Sequence, residues 1–476
     1  MPTSELTAAG RYIILAAAFL GWMFSGFQMA VMTLASRSAT TEFLRRGEVS
    51  AAEPFSLRRL IATPTRPPKT LTESANEKQA LDQIAAKWLS WYNALFLLGA
   101  ASGGLFFGWL GDAIGRVKAM AASILAFSFF SLLAYWSATP EQLVVLRFLS
   151  GAGVGGMWPT GVALAAEAWS EGSRPLIAGM LGTAANVGLT LFHWFAYQRD
   201  VVPDSWRWTL LVCAAPLPLA LMVYVGVPES RRWLAAKQSL AMQGQRVTMA
   251  TVFQPPLLRR TLIGIAVGTI PLLGGWGATQ WVIPWADKIN SEQQKQQVAI
   301  IESTSAEATD SIGKKQTSVT GPRAKAMAGM MRSGGATIGG LLGGWLASLL
   351  GRRLTYFLIS ISSLGIGEYI FLMLTPRDPS FWPMVFMLGV VSTLFFGLLP
   401  LYLPELFPTR ARATGAGVSF NFGRILTAAG VLLAGWITYA LNDDYGRAGS
   451  FTTLVFGLGM IVILFAPDTT KEKLAD

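Results

Sequence analysis

Gly108-Trp-Leu-Gly-Asp-Ala-Ile-Gly-Arg-Val-Lys118 separates two long apolar runs. Its glycines permit a tight turn between helices and close backbone approach. Asp112, Arg116 and Lys118 cannot lie in hydrocarbon, so they place the turn at a membrane edge. An acid beside two cations just past a helix end suits an ionic clamp that breaks and re-forms. The remaining apolar runs fall on either side of this hairpin.

Twelve runs of about 20 residues, the length that crosses about 30 Å of hydrocarbon, are found at 12–35, 88–110, 119–137, 143–165, 175–197, 206–227, 261–286, 325–349, 354–375, 381–403, 413–440 and 451–466. Of the 476 residues, 52% are apolar and 14% charged, about half the usual charged share. The first run is too long for a secretory leader and is expected to span. The formal charge of +11 sits mostly in loops, where it orients the chain and does not form a nucleic-acid surface. The one cysteine, Cys213, excludes an internal disulfide and speaks against a Cys metal cluster. No Walker loop, paired carboxylates or nucleophile with a base is present, so neither an enzyme nor a cofactor or metal is expected.

Short loops after spans two, six, eight and ten carry Arg116 and Lys118, Arg231 and Arg232, Arg352 and Arg353, and Arg410 and Arg412. The positive-inside rule makes that side cytoplasmic and puts both termini there, in the plasma (inner) membrane. The expected units are an N-terminal bundle over 1–227 with an outer loop at 36–87, a cytoplasmic link over 228–258 with a short amphipathic helix near 232–240, and a C-terminal bundle over 259–476 with an outer loop at 287–324. Ser74-Ala-Asn-Glu77 is a capping box, so a helix is expected to start there and run into span two.

The halves repeat. Gly108-Trp-Leu-Gly-Asp-Ala-Ile-Gly-Arg matches Gly344-Trp-Leu-Ala-Ser-Leu-Leu-Gly-Arg, with Ser348 where the first copy has Asp112. Glu167 and Arg174, seven apart, match Glu405 and Arg412, also seven apart. Two motifs at nearly equal offset predict two similar six-helix halves with a polar site between them near the midplane.

These motifs resemble those of the major facilitator superfamily over almost the full length. Arg147-Phe-Leu-Ser-Gly-Ala-Gly-Val-Gly-Gly-Met-Trp-Pro159 looks like its span-four motif. Pro228-Glu-Ser-Arg-Arg-Trp-Leu234 and Pro404-Glu-Leu-Phe-Pro-Thr-Arg-Ala-Arg-Ala-Thr-Gly415 resemble its metabolite, sugar and aromatic-acid branches. The resemblance implies an all-α membrane protein of twelve transmembrane helices in two pseudo-symmetric six-helix bundles, moving by alternating access. It also implies a charge latch of Asp112, Arg116, Glu167 and Arg174, with Arg352, Glu405 and Arg412 as the counterpart. Ser25 and Gln28 stand where proton-coupled branches commonly carry acids, and neither titrates. Facilitated diffusion, or coupling through Arg147, Glu368 or His193, is the alternative.

Intramembrane ionisable and amide residues are the candidates for substrate contact. Arg424 lies about 16 Å into its run at about 1.5 Å per residue, and its repeat counterpart is Asn186, each nineteen residues after the matched glutamate. Arg424 is expected to be a fork for a substrate carboxylate, or else a structural partner of a carbonyl or of Glu368. Gln28, Asn421 and the span-seven set Trp276, Gln280 and Trp281 complete the candidates; the competing reading of Gln28 is an interhelical hydrogen bond. The expected function is transport of a small polar organic solute by a monomer in the bilayer, alone or with protons or ions. The alternatives are an uncoupled facilitator or exporter and a non-transporting sensor.

Overall fold

The computed structural model describes residues 6–46, 75–170, 172–242, 249–275, 281–282, 285, 289, 322–441 and 444–470. Described elements are helical throughout, with no strand among them. In the first half these are α1 (Ala8–Arg45), α2 (Ala75–Ile114), α3 (Arg116–Ala134), α4 (Pro140–Ala168), α5 (Arg174–Gln198), α6 (Trp208–Ala214) and α7 (Leu217–Gly226). Helix α8 (Arg231–Met242) is the link. The second half has α9 (Leu257–Gly275), α10 (Pro322–Leu350), α11 (Arg352–Met373), α12 (Phe381–Glu405), α13 (Arg412–Ala440), α14 (Tyr445–Thr453) and α15 (Val455–Val462).

Ten spans among the described residues are long and apolar enough to cross a membrane. Two further long helices, α4 and α10, pack among them; their many glycines and their arginines Arg147 and Arg332 lower their hydropathy. The sixth and twelfth spans are each made of two short helices, and Pro216 and Pro218 sit at the break between α6 and α7.

The 108–118 turn is built as its glycines require. Gly115 has φ +119° and its counterpart Gly351 has φ +86°, backbone that a side chain would strain. The chain therefore reverses within one residue between α2 and α3, and again between α10 and α11. Both turns lie at one end of the molecule, the latch end.

Helix α1 runs to Arg45, ten residues past its expected end, and takes in the start of the expected outer loop. The extension holds because it is packed: Phe43 and Ala39 are fully buried, the Ser38 hydroxyl donates to the Val201 carbonyl at 2.7 Å, and Glu42 accepts from Trp206 Nε1 at 2.6 Å and pairs with Arg207. Helix α2 begins at Ala75, directly after the expected Ser74 cap, which lies outside the described residues. Residues 290–321, most of the second expected outer loop, also lie outside them.

The halves meet along two seams, α2 with α13 and α5 with α10. Both depend on bare glycine. A Cβ on Gly179 would lie 2.3 Å from the Leu341 carbonyl oxygen, and one on Gly344 would lie 2.1 Å from that of Pro175. Backbones this close exclude water between the halves at the latch end.

Candidate functional site

At the latch end α2, α3 and α4 bring three charges together. Arg116 pairs with Asp112 at 2.7 Å and donates to both carboxylate oxygens of Glu167, at 3.0 and 3.3 Å. The charged side chains of Asp112, Arg116 and Glu167 are fully buried. The set reaches the other half. Arg412 donates to Glu167 at 3.2 Å, Arg116 donates to the Thr409 carbonyl at 2.9 Å, and the backbone N–H and hydroxyl of Thr414 both donate to Asp112.

The link helix is tied into the same cluster. The Ser230 hydroxyl donates to Glu167, and Trp233 Nε1 donates to the Asp112 carbonyl. Glu229 accepts the first two N–H groups of α3, those of Arg116 and Val117, each at 3.1 Å. Burial pushes the Glu229 carboxyl above its usual range, while the N–H groups and the Arg116 charge pull it back.

The counterpart in the second half repeats this geometry within itself. Arg352 donates to both oxygens of Glu405, at 2.7 and 3.1 Å, and the Thr469 hydroxyl donates to Glu405. Each arginine also donates to the carbonyl five residues back, Gly111 for Arg116 and Ala347 for Arg352. Ser348 instead turns its hydroxyl to the Trp345 carbonyl on the exposed surface. Arg174 donates to the Ala166 carbonyl and lies close enough to act on Glu405 electrostatically.

A cavity of about 180 Å³ opens between the halves, room for on the order of ten waters. It lies on the far side of the seam contacts from the latch. Its walls are mostly apolar, with Asn186 and His193 from α5, Arg332 from α10, Ser392 and Thr393 from α12, and Arg424 from α13. No carboxylate lines it among the described residues. Arg424 donates to Asn421 Oδ1 at 2.7 Å and lies 5.2 Å from the Phe420 ring; no described carboxylate, Glu368 included, pairs with it. His193 has Nδ1 2.6 Å from the Leu189 carbonyl; a carbonyl only accepts, so Nδ1 carries a proton.

The cavity thus gathers Asn186, His193 and Arg424, with Asn421 behind Arg424, but not every candidate. Gln28 is fully buried inside the first half. Its side-chain oxygen accepts from Ser131 at 2.8 Å and Arg147 at 3.2 Å, and its amide donates to the Cys213 carbonyl at 3.0 Å. Arg147 also donates to the Gln28 carbonyl at 2.6 Å and stacks on Phe96, which lines the cavity. Glu368 lies between α11 and α14 and accepts from the Ser450 hydroxyl. Trp281 is buried beside Tyr445, outside the cavity lining. Trp276 and Gln280 lie outside the described residues. Arg332 was not among the sequence candidates. Its signal was an arginine seven residues inside the eighth apolar run, the same signal that marks Arg424.

The sequence profile described as "Sugar (and other) transporter" matches residues 13–270 and 290–471. The chain belongs to this family, a branch of the major facilitator superfamily. Among relatives of this transporter family member, the inner membrane metabolite transport protein YgcS of Escherichia coli is 28% identical over 78% of this chain and 81% of its own length. The cis,cis-muconate transport protein of Acinetobacter baylyi is 25% identical over 85% and 91%. The proton:xylose symporter XylE superposes with a TM-score of 0.68 at 16% identity, covering 98% of each chain, a match of fold. The transporter is therefore a multi-pass membrane protein of twelve spans in two bundles.

Proposed function

We propose that the protein carries a small organic anion across the plasma membrane by alternating access of its two bundles. The observation that supports this most is Arg424: a cation on the wall of the cavity between the halves, hydrogen-bonded to Asn421 and to no carboxylate among the described residues. A guanidinium held in a low-dielectric site attracts an anion strongly, and its fork geometry suits a carboxylate. Cis,cis-muconate, the substrate named for one relative, is such an anion. The basic short loops support a cytoplasmic latch end with both termini on that side. In that orientation a sealed latch end leaves the cavity facing outward.

A second reading, uncoupled transport, is favoured by Ser25 and Gln28 in span one and by a cavity lined by no described carboxylate. Proteoliposome uptake of labelled organic acids tests both. Arg424→Ala abolishes uptake while thermal stability is kept, and Arg424→Lys keeps part of it. Uptake unchanged in Arg424→Ala overturns the anion reading, and accumulation driven by an imposed pH gradient overturns the uncoupled one.

A further inference from the structure

Arg424 is steered by two residues of its own helix, and each of them leans on the first half. One is Asn421. Its Oδ1 accepts from Arg424 at 2.7 Å and its Nδ2 donates to the Gly417 carbonyl at 2.9 Å. A guanidinium only donates and a carbonyl only accepts, so one orientation of the amide serves both. The amide is also boxed in. Asn421 is fully buried, and a Cβ on Gly104 of α2 would lie 2.0 Å from its Nδ2 and 2.1 Å from its Cγ. The two backbones meet at the same level: a Cβ on Gly417 would lie 2.7 Å from the Gly104 carbonyl oxygen. The amide that aims Arg424 therefore fits only because α2 carries no side chain at position 104.

The other is Phe420. The Arg424 guanidinium lies 5.2 Å from the centre of its ring, and the ring stacks on Trp158 of α4, with centroids 4.0 Å apart and planes at 11°. Both rings are buried. Phe420 lines the cavity, whereas neither Trp158 nor Gly104 is among its lining residues. A guanidinium fixed before its ligand arrives gives up less freedom on binding than one that sweeps the cavity.

Resting on the anion reading above, we infer that Gly104 and Trp158 are positioning residues for the anion. Without touching it, they hold Arg424 in its binding pose, Gly104 through Asn421 and Trp158 through Phe420. Both supports come from across the seam, so they act only while the halves meet there. The hold on the anion is thus tied to the closed seam.

Isothermal titration calorimetry on the purified full-length protein tests this, with cis,cis-muconate and benzoate as probes. Gly104→Ala is expected to weaken binding about tenfold or more, the effect of losing a hydrogen bond to a charged group, and Asn421→Ala to do the same. The double variant is expected to bind no more weakly than either single one, because the added methyl has no amide left to displace. Losses that add, or parental affinity in Gly104→Ala, overturn the role of Gly104 and leave the anion reading standing. Trp158→Phe keeps a stacked ring and is expected to stay within about twofold of the parent, while Trp158→Leu fills space without a ring face and is expected to lose about fivefold. Parental affinity in Trp158→Leu, or an equal loss in Trp158→Phe, overturns the role of Trp158. This pair decides the matter where Gly104→Ala fails to fold. Should neither acid bind the unaltered protein, the anion reading falls, and this inference with it.

Discussion

The two copies of the latch share a plan and differ in reach. In both, an arginine after a positive-φ glycine grips a glutamate with two hydrogen bonds and the carbonyl five residues back with a third, and a hydroxyl closes the far side of the glutamate. The first copy goes further: Asp112 and Glu167 accept directly from Thr414 and Arg412 of the other half. Two residues produce the difference. Ser348 replaces the acid, and Leu176, an exposed apolar side chain, stands where the repeat of Thr414 would supply a hydroxyl. The repeat thus supplies two similar clamps, of which the first carries the described hydrogen bonds across the closed end.

The largest expected effect breaks this asymmetry at its centre. Glu167→Gln leaves two buried arginines facing a neutral amide and is expected to cost about 3–5 kcal/mol of stability, the range for a broken buried pair. Glu405→Gln breaks a pair whose side chains are each 8% exposed, where those of Arg116 and Glu167 are sealed, and is expected to cost roughly half as much. Denaturation in detergent measures both; equal losses would erase the distinction between the copies.

A smaller effect is expected at the other seam. Gly344→Ala drives a methyl into the Pro175 carbonyl and is expected to cost about 1–3 kcal/mol, the usual penalty for overpacking. Because the strain is relieved when the halves part, the variant should favour the open latch end. Thiol labelling of Ala178→Cys, buried in the closed state, reports it, since the native Cys213 is itself buried. Labelling no faster than in the parent would show that the seam yields without opening.

The smallest effect sharpens the comparison. Ser348→Asp rebuilds the i,i+4 pair with Arg352 on an exposed surface and is expected to add only about 0.3–1 kcal/mol. A gain of several kcal/mol would mean that the acid alone, without Thr414's counterpart, makes a latch.

Much of this was legible in the chain. The positive-φ glycine of the 108–118 turn has its counterpart at Gly351, Glu167 and Glu405 are each gripped by the arginine of their own half, and Asn186 and Arg424 line one cavity. These features are covalent spacings on rigid helices, so periodicity and repeat offset carry them directly. Side-chain direction at a polar position in a helix that is buried on several faces is harder. Gln28 points into the first half because Arg147, Ser131 and the Cys213 carbonyl satisfy it there, partners 103 to 185 residues away that no local pattern reveals. The extension of α1 to Arg45 was hidden for a related reason: its Ser and Thr residues read as loop, yet their hydroxyls bond to carbonyls one turn back or to Val201. Arg332 was hidden by nothing but its nearness to the loop edge.

Phe420 belongs to two of these arrangements at once. Its ring lies parallel to Trp158 of the first half, 4.0 Å between centroids and 11° apart, and also beneath the Arg424 guanidinium. Phe420 thus joins the cavity wall to a helix of the other bundle. If Arg424 takes the solute, as we propose, drawing it aside removes one contact of that ring, and the news of occupancy would reach the joint through an aromatic side chain that both bundles touch.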